Sequence, residues 1–470
     1  MKKYLVISLL CLLLNNLNLF SQNIIIKGKI QQPTANSQQP TSLIRLMTYN
    51  DMLTCEQTTI YETKADENGN FVIKAEIDKI TPAQIAIDLE RVDIILKPSA
   101  EYEVEITIPE RDENLSYFER QYPTMKMIKT DDDGLYYQYY KVENIIDDFI
   151  LDNFNQIYRR RQKSLLDSLD ILVNKELGVI KYDFVKDYLL YRKANIQMAI
   201  DNDNAETVMS RYYDKHKILY TQSAYMSLFD EIFVNYLVNR QFEPSELMLN
   251  LRHGYDRFMS YVKSKDVFLS DNKELAELIV AWNMKRMYYE YPEERKFVLA
   301  IFEGIKQNTN VKDNKNIVEN ILTQINRLSY GTDAPQFSLK NADGKMVSLS
   351  SFKDNMLLLQ FVNKVSPMTD YQFQELNNIS QYWPDMIKII TIATDDSFDD
   401  FKAMIEKNGY DWELLKLSDN MLLLEQYQIK TFPDYIIVMP QNKIGMAPAP
   451  APDQYLDYHM KRIYNYTIKK

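Results

Sequence analysis

The hydrophobic period of this chain changes twice, and those changes limit the folds open to it more than any other feature. Over residues 23–112, apolar residues come in short runs at 24–30, 43–47, 58–63, 71–77, 83–89, 93–96 and 102–108. In Tyr102-Glu103-Val104-Glu105-Ile106 one face is apolar and the other charged, the pattern of a strand with one side in solvent. Such runs, separated by turn residues, predict an all-β sandwich. Asp66-Glu67-Asn68-Gly69-Asn70 carries turn chemistry and predicts a hairpin between two of them. A calcium loop is not expected there, because the later bidentate acid is missing.

Over 113–329 the period becomes helical, as in Ile146, Phe149, Ile150, Phe154 and Ile157. Asp271 and Glu274 have the spacing of a capping box ahead of Leu275, Leu278, Ile279 and Trp282. With only 10 glycines in 470 residues, few positions can take positive φ, which suits long helices. Many of the tyrosines fall here, and a ring in the core with its hydroxyl at the edge accounts for them more simply than an aromatic binding surface. Arg159, Arg160 and Arg161 fan around a helix and form no clamp, and Asp131-Asp132-Asp133-Gly134 reads as a turn.

The charge of −11 is spread along the chain, which argues against a nucleic-acid partner. His216, His253 and His459 stand far apart with no second ligand at metal spacing, so no metal and no cofactor is expected. Residues 1–22 read as a secretory signal peptide: Lys2 and Lys3, an apolar run over 4–14, then Ser21 before Gln22. The run is too short to span a bilayer, so no integral membrane segment is expected after cleavage. Leu9 and Leu10 before Cys11 disfavour a lipoprotein signal. Cleavage leaves Cys55 as a single thiol, expected to be buried and inert or else open to an intermolecular bond.

From 330 to 470 the pattern changes again. Ala334-Pro335-Gln336-Phe337-Ser338-Leu339 leads to Asp343-Gly344-Lys345 and then to the apolar run Met356-Leu357-Leu358-Leu359-Gln360-Phe361-Val362, which reads as a buried central strand. Ser366-Pro367-Met368-Thr369 follows, with Glu375-Leu376 a turn or two later. A strand over 387–393, a helix over 398–407, the stretch Ile429-Lys430-Thr431-Phe432-Pro433, a strand over 435–439 and a last helix over 454–464 complete the region. Pro448, Pro450 and Pro452 suggest an extended exposed stretch before that helix.

This order resembles the secreted thioredoxin-like families, the peroxiredoxin-related and cytochrome-maturation-type thiol–disulfide oxidoreductases. Their A-P-x-F-x-L start and D-G-K hairpin are matched, while of the strand end F-W-A only Phe361 is kept, with Val362 in the tryptophan's place. The resemblance implies an α/β thioredoxin-like domain whose C-P-P-C positions hold Ser366, Pro367, Met368 and Thr369, and whose cis-proline loop is Phe432-Pro433. Disulfide exchange needs an attacking thiolate and a resolving thiol, which Ser366 and Thr369 cannot supply. They suit the capping of a helix instead. The expectation is a periplasmic or extracellular envelope protein without dithiol chemistry, with a protein or extended peptide as partner. Two other readings stand beside it: thiol–disulfide exchange through Cys55 with a partner's resolving thiol, and binding by the sandwich with the last domain as a support.

Overall fold

The computed structural model describes residues 22–31, 43–109, 122–200, 205–238, 242–382 and 387–468. All of the expected leader except Gln22, including Cys11, lies outside these residues. The chain divides into two compact units, the first reaching Leu322 and the second beginning at Thr323.

The first unit opens with strands β1 (Gln22–Gln31), β2 (Leu43–Tyr49), β3 (Gln57–Lys64), β4 (Asn70–Ile77), β5 (Thr81–Ile87), β6 (Glu90–Leu96), β7 (Glu101–Thr107) and β8 (Thr124–Thr130). They form two four-stranded sheets, ordered β4-β1-β7-β8 and β3-β2-β5-β6. The pairing is antiparallel except for β1 with β7. Alternation decides which residues meet: Phe71, Ile73, Ala75 and Ile77 of β4 are buried while their neighbours are exposed. They join Ile24, Ile26 and Tyr102 of one sheet and Ile44, Leu46, Ile85 and Ile94 of the other in a single core. Full burial of each larger apolar side chain stabilises by roughly 1.5–3 kcal/mol.

Two expectations need correction here. The turn at Asp66 forms, with its carboxylate accepting from the amides of Asn68 and Asn70 at 2.9 and 2.8 Å, and Gly69 at φ +79° with no room for a Cβ against the Ile30 carbonyl. However, β3 and β4 belong to different sheets, so it turns the chain between layers and closes no hairpin. The eighth strand, β8, falls in the stretch expected to be helical. Its side chains are half-exposed or exposed, so it carries no strong period.

Helices that bear on the site are α1 (Leu135–Asp152), α2 (Asp183–Ile200), α3 (Ser223–Phe233), α4 (Lys273–Glu290) and α5 (Lys312–Asn326). Ile146, Phe149 and Ile157 are buried as the period predicts, but α1 ends at Asp152 and Phe154 is exposed. Asp271 does not cap α4: it closes the preceding short helix and pairs with Lys215 at 3.2 Å, while Asn272 stands at the cap position. Several tyrosines take the expected core arrangement. Tyr213 and Tyr236 are buried and donate to the Tyr225 carbonyl and the Asp266 carboxylate at 2.8 and 2.7 Å. The sandwich is tied to α5 by Asp51, whose carboxylate accepts from Leu53 N, Thr54 N and Asn320 Nδ2.

The second unit begins with the small antiparallel pair β9 (Ser338–Lys340) and β10 (Met346–Ser348). A five-stranded sheet then runs β13 (Glu413–Lys416), β12 (Ile387–Ala393), β11 (Met356–Val362), β14 (Asp434–Met439), β15 (Lys443–Ala449). The pairs β11–β12 and β12–β13 are parallel, while β14 and β15 run antiparallel. Every residue of β11 is buried, which is why the run reads as unbroken apolar sequence. Helices α6 (Pro367–Tyr382), α7 (Phe398–Asn408) and α8 (Leu456–Ile468) complete the unit. Leu376 of α6 and Leu456, Met460 and Ile463 of α8 pack with Met356 and Leu358, and Phe373 packs on Phe401 of α7. The proline-containing stretch is extended over 443–449, where it pairs as edge strand β15 and a proline costs no ladder bond facing solvent, but it is not exposed throughout: Pro448 is exposed, Pro450 half-buried and Pro452 buried in a turn. This unit is α/β and the first combines β-sheets with helices, so the chain is multidomain in class.

Candidate functional site

Strand β11 ends at Val362 and α6 starts at Pro367, so Ser366-Pro367-Met368-Thr369 sits at a strand end where a helix begins. Phe361 pairs with Asp434 across the sheet. Phe432 and Pro433 immediately precede Asp434, so register alone brings the two expected site segments to the same end of the sheet. The Phe432–Pro433 peptide is cis.

The two hydroxyls bond reciprocally. Ser366 Oγ accepts from the Thr369 amide at 3.2 Å, and Thr369 Oγ1 accepts from the Ser366 amide at 2.7 Å. This is a capping box closed by a threonine, which satisfies one amide at each end of the first helical turn. The Thr369 hydroxyl has the carbonyls of Ser366 and Lys364 as acceptors at 2.9 and 3.2 Å, and the two hydroxyl oxygens lie 3.1 Å apart. Thr369 is buried, whereas Met368 is 57% exposed and Tyr371 48% exposed on the same helical turn.

Beneath the helix the polar groups are amides, a phenol, a hydroxyl and carboxyls. Tyr435 donates to Gln372 Oε1 at 2.9 Å, and Gln372 Nε2 reaches Asp453 Oδ1 at 3.4 Å. Gln360, fully buried in β11, donates to Thr391 Oγ1 at 2.6 Å, and its carbonyl oxygen has no partner among the described residues. Burial raises the Asp434 carboxyl above its ordinary value, with the Tyr435 amide opposing the shift. This arrangement can orient a helix and hold a surface in shape. Among the described residues it offers Ser366 no histidine or other positioned base that would make a nucleophile of its hydroxyl.

Residues 330–447 match the AhpC/TSA family. The second unit is a thioredoxin-like domain. Similar solved structures include the thioredoxin domain of a thiol-disulfide oxidoreductase from Bacteroides vulgatus, at 26% identity over 30% of this chain and 98% of that one, with a TM-score of 0.26. A thiol:disulfide interchange protein from a Bacteroides species is 24% identical over 30% of this chain and 92% of its own, with a TM-score of 0.27. A secreted Mycobacterium tuberculosis disulfide oxidoreductase homologous to E. coli DsbE is 15% identical over 27% and 95%, with a TM-score of 0.23. The assignment of the fold rests on the family match and on strand order. No curated protein matches the chain.

Cys55, the one cysteine among the described residues, is exposed, which corrects the expectation of a buried thiol. It sits at φ 54° in the loop after β2, a backbone region that side chains rarely adopt. Its thiol donates to the Met52 carbonyl at 3.7 Å. Burial of the sulfur, followed by the Asp51 charge, pushes its pKa above the ordinary thiol value, with Lys285 opposing. No group of three or more His, Cys, Asp or Glu among the described residues could hold a metal ion. Among the described residues, no helix is long and apolar enough to cross a membrane.

One feature escaped sequence reasoning. A cavity of about 470 Å³ lies in the first unit between the β2-β5-β6 face and helices α1, α2 and α3, with Cys55 at its wall. Tyr139, Tyr140 and Tyr188 line it with Asp93, Glu143 and Asp230. Its residues come from distant parts of the sequence, and none forms a motif.

Proposed function

We propose that the thioredoxin-like domain is a non-catalytic module that binds a protein or an extended peptide, in a protein exported to the bacterial envelope. The observation that carries this reading is the reciprocal hydroxyl cap at Ser366 and Thr369, in the positions where the resemblance puts the dithiol. A hydroxyl cannot form a sulfur–sulfur bond, and these two are engaged in holding the helix start. The sheet end they share with Phe432 and Pro433 keeps an exposed apolar edge in Met368 and Tyr371. Main-chain pairing beside a cis-proline loop, with alternate side chains resting on such an edge, is a recognition mode that needs no cysteine. The leader read over 1–22 supports export.

The test is binding of the mature chain to an array of unstructured peptides, compared with Phe432→Ala and Met368→Asp. The reading expects both variants to lose at least tenfold in affinity for the peptides that bind, with melting temperature retained. An array that stays blank with the wild-type chain would refute it.

The exposure of Cys55 favours a second reading, thiol–disulfide exchange through that residue with a resolving thiol from a partner. The direction of its pKa opposes it, since a raised value leaves less thiolate at neutral pH. Alkylation of Cys55 slower than that of free cysteine at pH 7 would remove this reading, and faster alkylation would favour it.

A further inference from the structure

We propose that the cavity of the first unit binds an organic cation, an ammonium or guanidinium group carried on an apolar or aromatic body. Its lining contains the carboxylates of Asp93, Glu143 and Asp230, and none of its lining residues is Lys, Arg or His. Each carboxylate is aimed by one hydrogen bond from the chain: Asp93 accepts from Gln84 Nε2 at 2.8 Å, Glu143 from the Tyr188 hydroxyl at 3.2 Å, and Asp230 from Trp282 Nε1 at 2.7 Å. These donors are neutral, and Asp93 is also open to solvent.

Cations stand close to the cavity without lining it, Arg192 within electrostatic reach of Glu143 and Lys285 within reach of Asp230 and Cys55. Arg192 donates to the Tyr188 hydroxyl at 3.0 Å and pairs with Asp147. Arg91 donates to Gln57 at 2.6 Å, and Lys285 lies 4.6 Å over the Trp282 ring. Burial raises the Glu143 carboxyl above its ordinary value, so an arriving cation offsets a desolvation cost already present in the fold.

The rings supply the second half of the recognition. Tyr139 lies 4.6 Å from Tyr188 and 5.3 Å from Tyr140 between ring centroids, a continuous aromatic wall. The negative faces of such rings attract a cation, and their surface covers an apolar body. An anion meets three carboxylates, and a neutral polyol brings no charge to compensate them.

The measurement is titration calorimetry of the mature full-length chain with benzylamine, phenethylamine and agmatine, beside benzyl alcohol, benzoate and glucose. Saturable binding of at least one amine, at least tenfold tighter than benzyl alcohol and without detectable binding of benzoate, is expected. Glu143→Gln should weaken that binding at least tenfold with the melting temperature retained or raised, and Asp93→Asn provides a second variant. Absence of binding by all three amines would overturn the proposal. So would equal affinity for amine and alcohol, preference for glucose, or folded Glu143 and Asp93 variants that bind as well as the parent.

Discussion

At the end of the five-stranded sheet, Ser366 and Thr369 bond each other's amides, whereas in the cavity of the first unit Asp93, Glu143 and Asp230 are oriented by neutral donors and meet no cation on the lining. In the first place the polar groups are satisfied by their immediate neighbours, and the result is a closed structural motif. In the second, three carboxylates are gathered from a sheet and two helices, and the result is a concave surface lined by acidic groups and no basic side chain. Self-satisfied hydrogen bonds are what a fold builds to hold itself, and partly satisfied charge in a cavity is what it builds to hold something else. The position that the family resemblance marks as catalytic is therefore the quieter of the two.

The largest effect that sharpens this contrast comes from a polar group in the first unit that is structural beyond doubt. Asp51 is buried and bonds two loop amides and Asn320, so Asp51→Ala leaves those donors without an acceptor. Urea unfolding of that variant should show a loss of about 3 kcal/mol. A loss under about 1 kcal/mol would mean that the loop between β2 and β3 is not held by this carboxylate.

Next comes the cap at the thioredoxin-like site. Ser366→Ala and Thr369→Ala should each cost about 1 kcal/mol, since each removes one half of the capping box. The double variant should cost less than the sum, because either change breaks the reciprocity. Full additivity in a double-mutant cycle would break the comparison.

The cavity should behave in the opposite sense. The Glu143 carboxyl is raised, so the folded state favours its protonated form; its contribution is full below the unfolded value and declines as pH rises through the folded value. Glu143→Gln removes that decline and should leave the melting temperature at pH 7 equal to or above that of the parent. A clear drop would show that the carboxylate supports the fold and has no function to set against stability. The smallest effect belongs to Cys55→Ser, expected to fall within about 0.5 kcal/mol of the parent because the residue is exposed.

Sequence legibility followed the same division. The sandwich strands could be read because each alternates, as β4 does in burying Phe71, Ile73, Ala75 and Ile77. The central strand could be read because it is buried on both faces, and the Ser366 and Thr369 caps because serine and threonine suit a helix end where the resemblance puts one. Strand β8 was missed because its inward face offers only two apolar residues, Met125 and Met127, half-exposed against the sandwich core. The turn at Asp66 was recognised but its consequence was not, since the same five residues serve a hairpin or a change of sheet, and only pairing decides between them. The exposure of Cys55 and the cavity beside it depend on how helices lie on a sheet. Nothing within a window of sequence joins Tyr49, Asp93, Glu143 and Asp230.

The central claim is the proposed absence of thiol–disulfide exchange from this chain, and reduction of insulin by the purified mature chain tests it most directly. The assay runs beside Cys55→Ser and an authentic dithiol enzyme, with dithiothreitol as the electron source. The account predicts turnover no faster than dithiothreitol alone for both the parent and the variant. Turnover approaching that of the dithiol enzyme in the parent, lost in Cys55→Ser, would contradict it and place the chemistry on that single thiol.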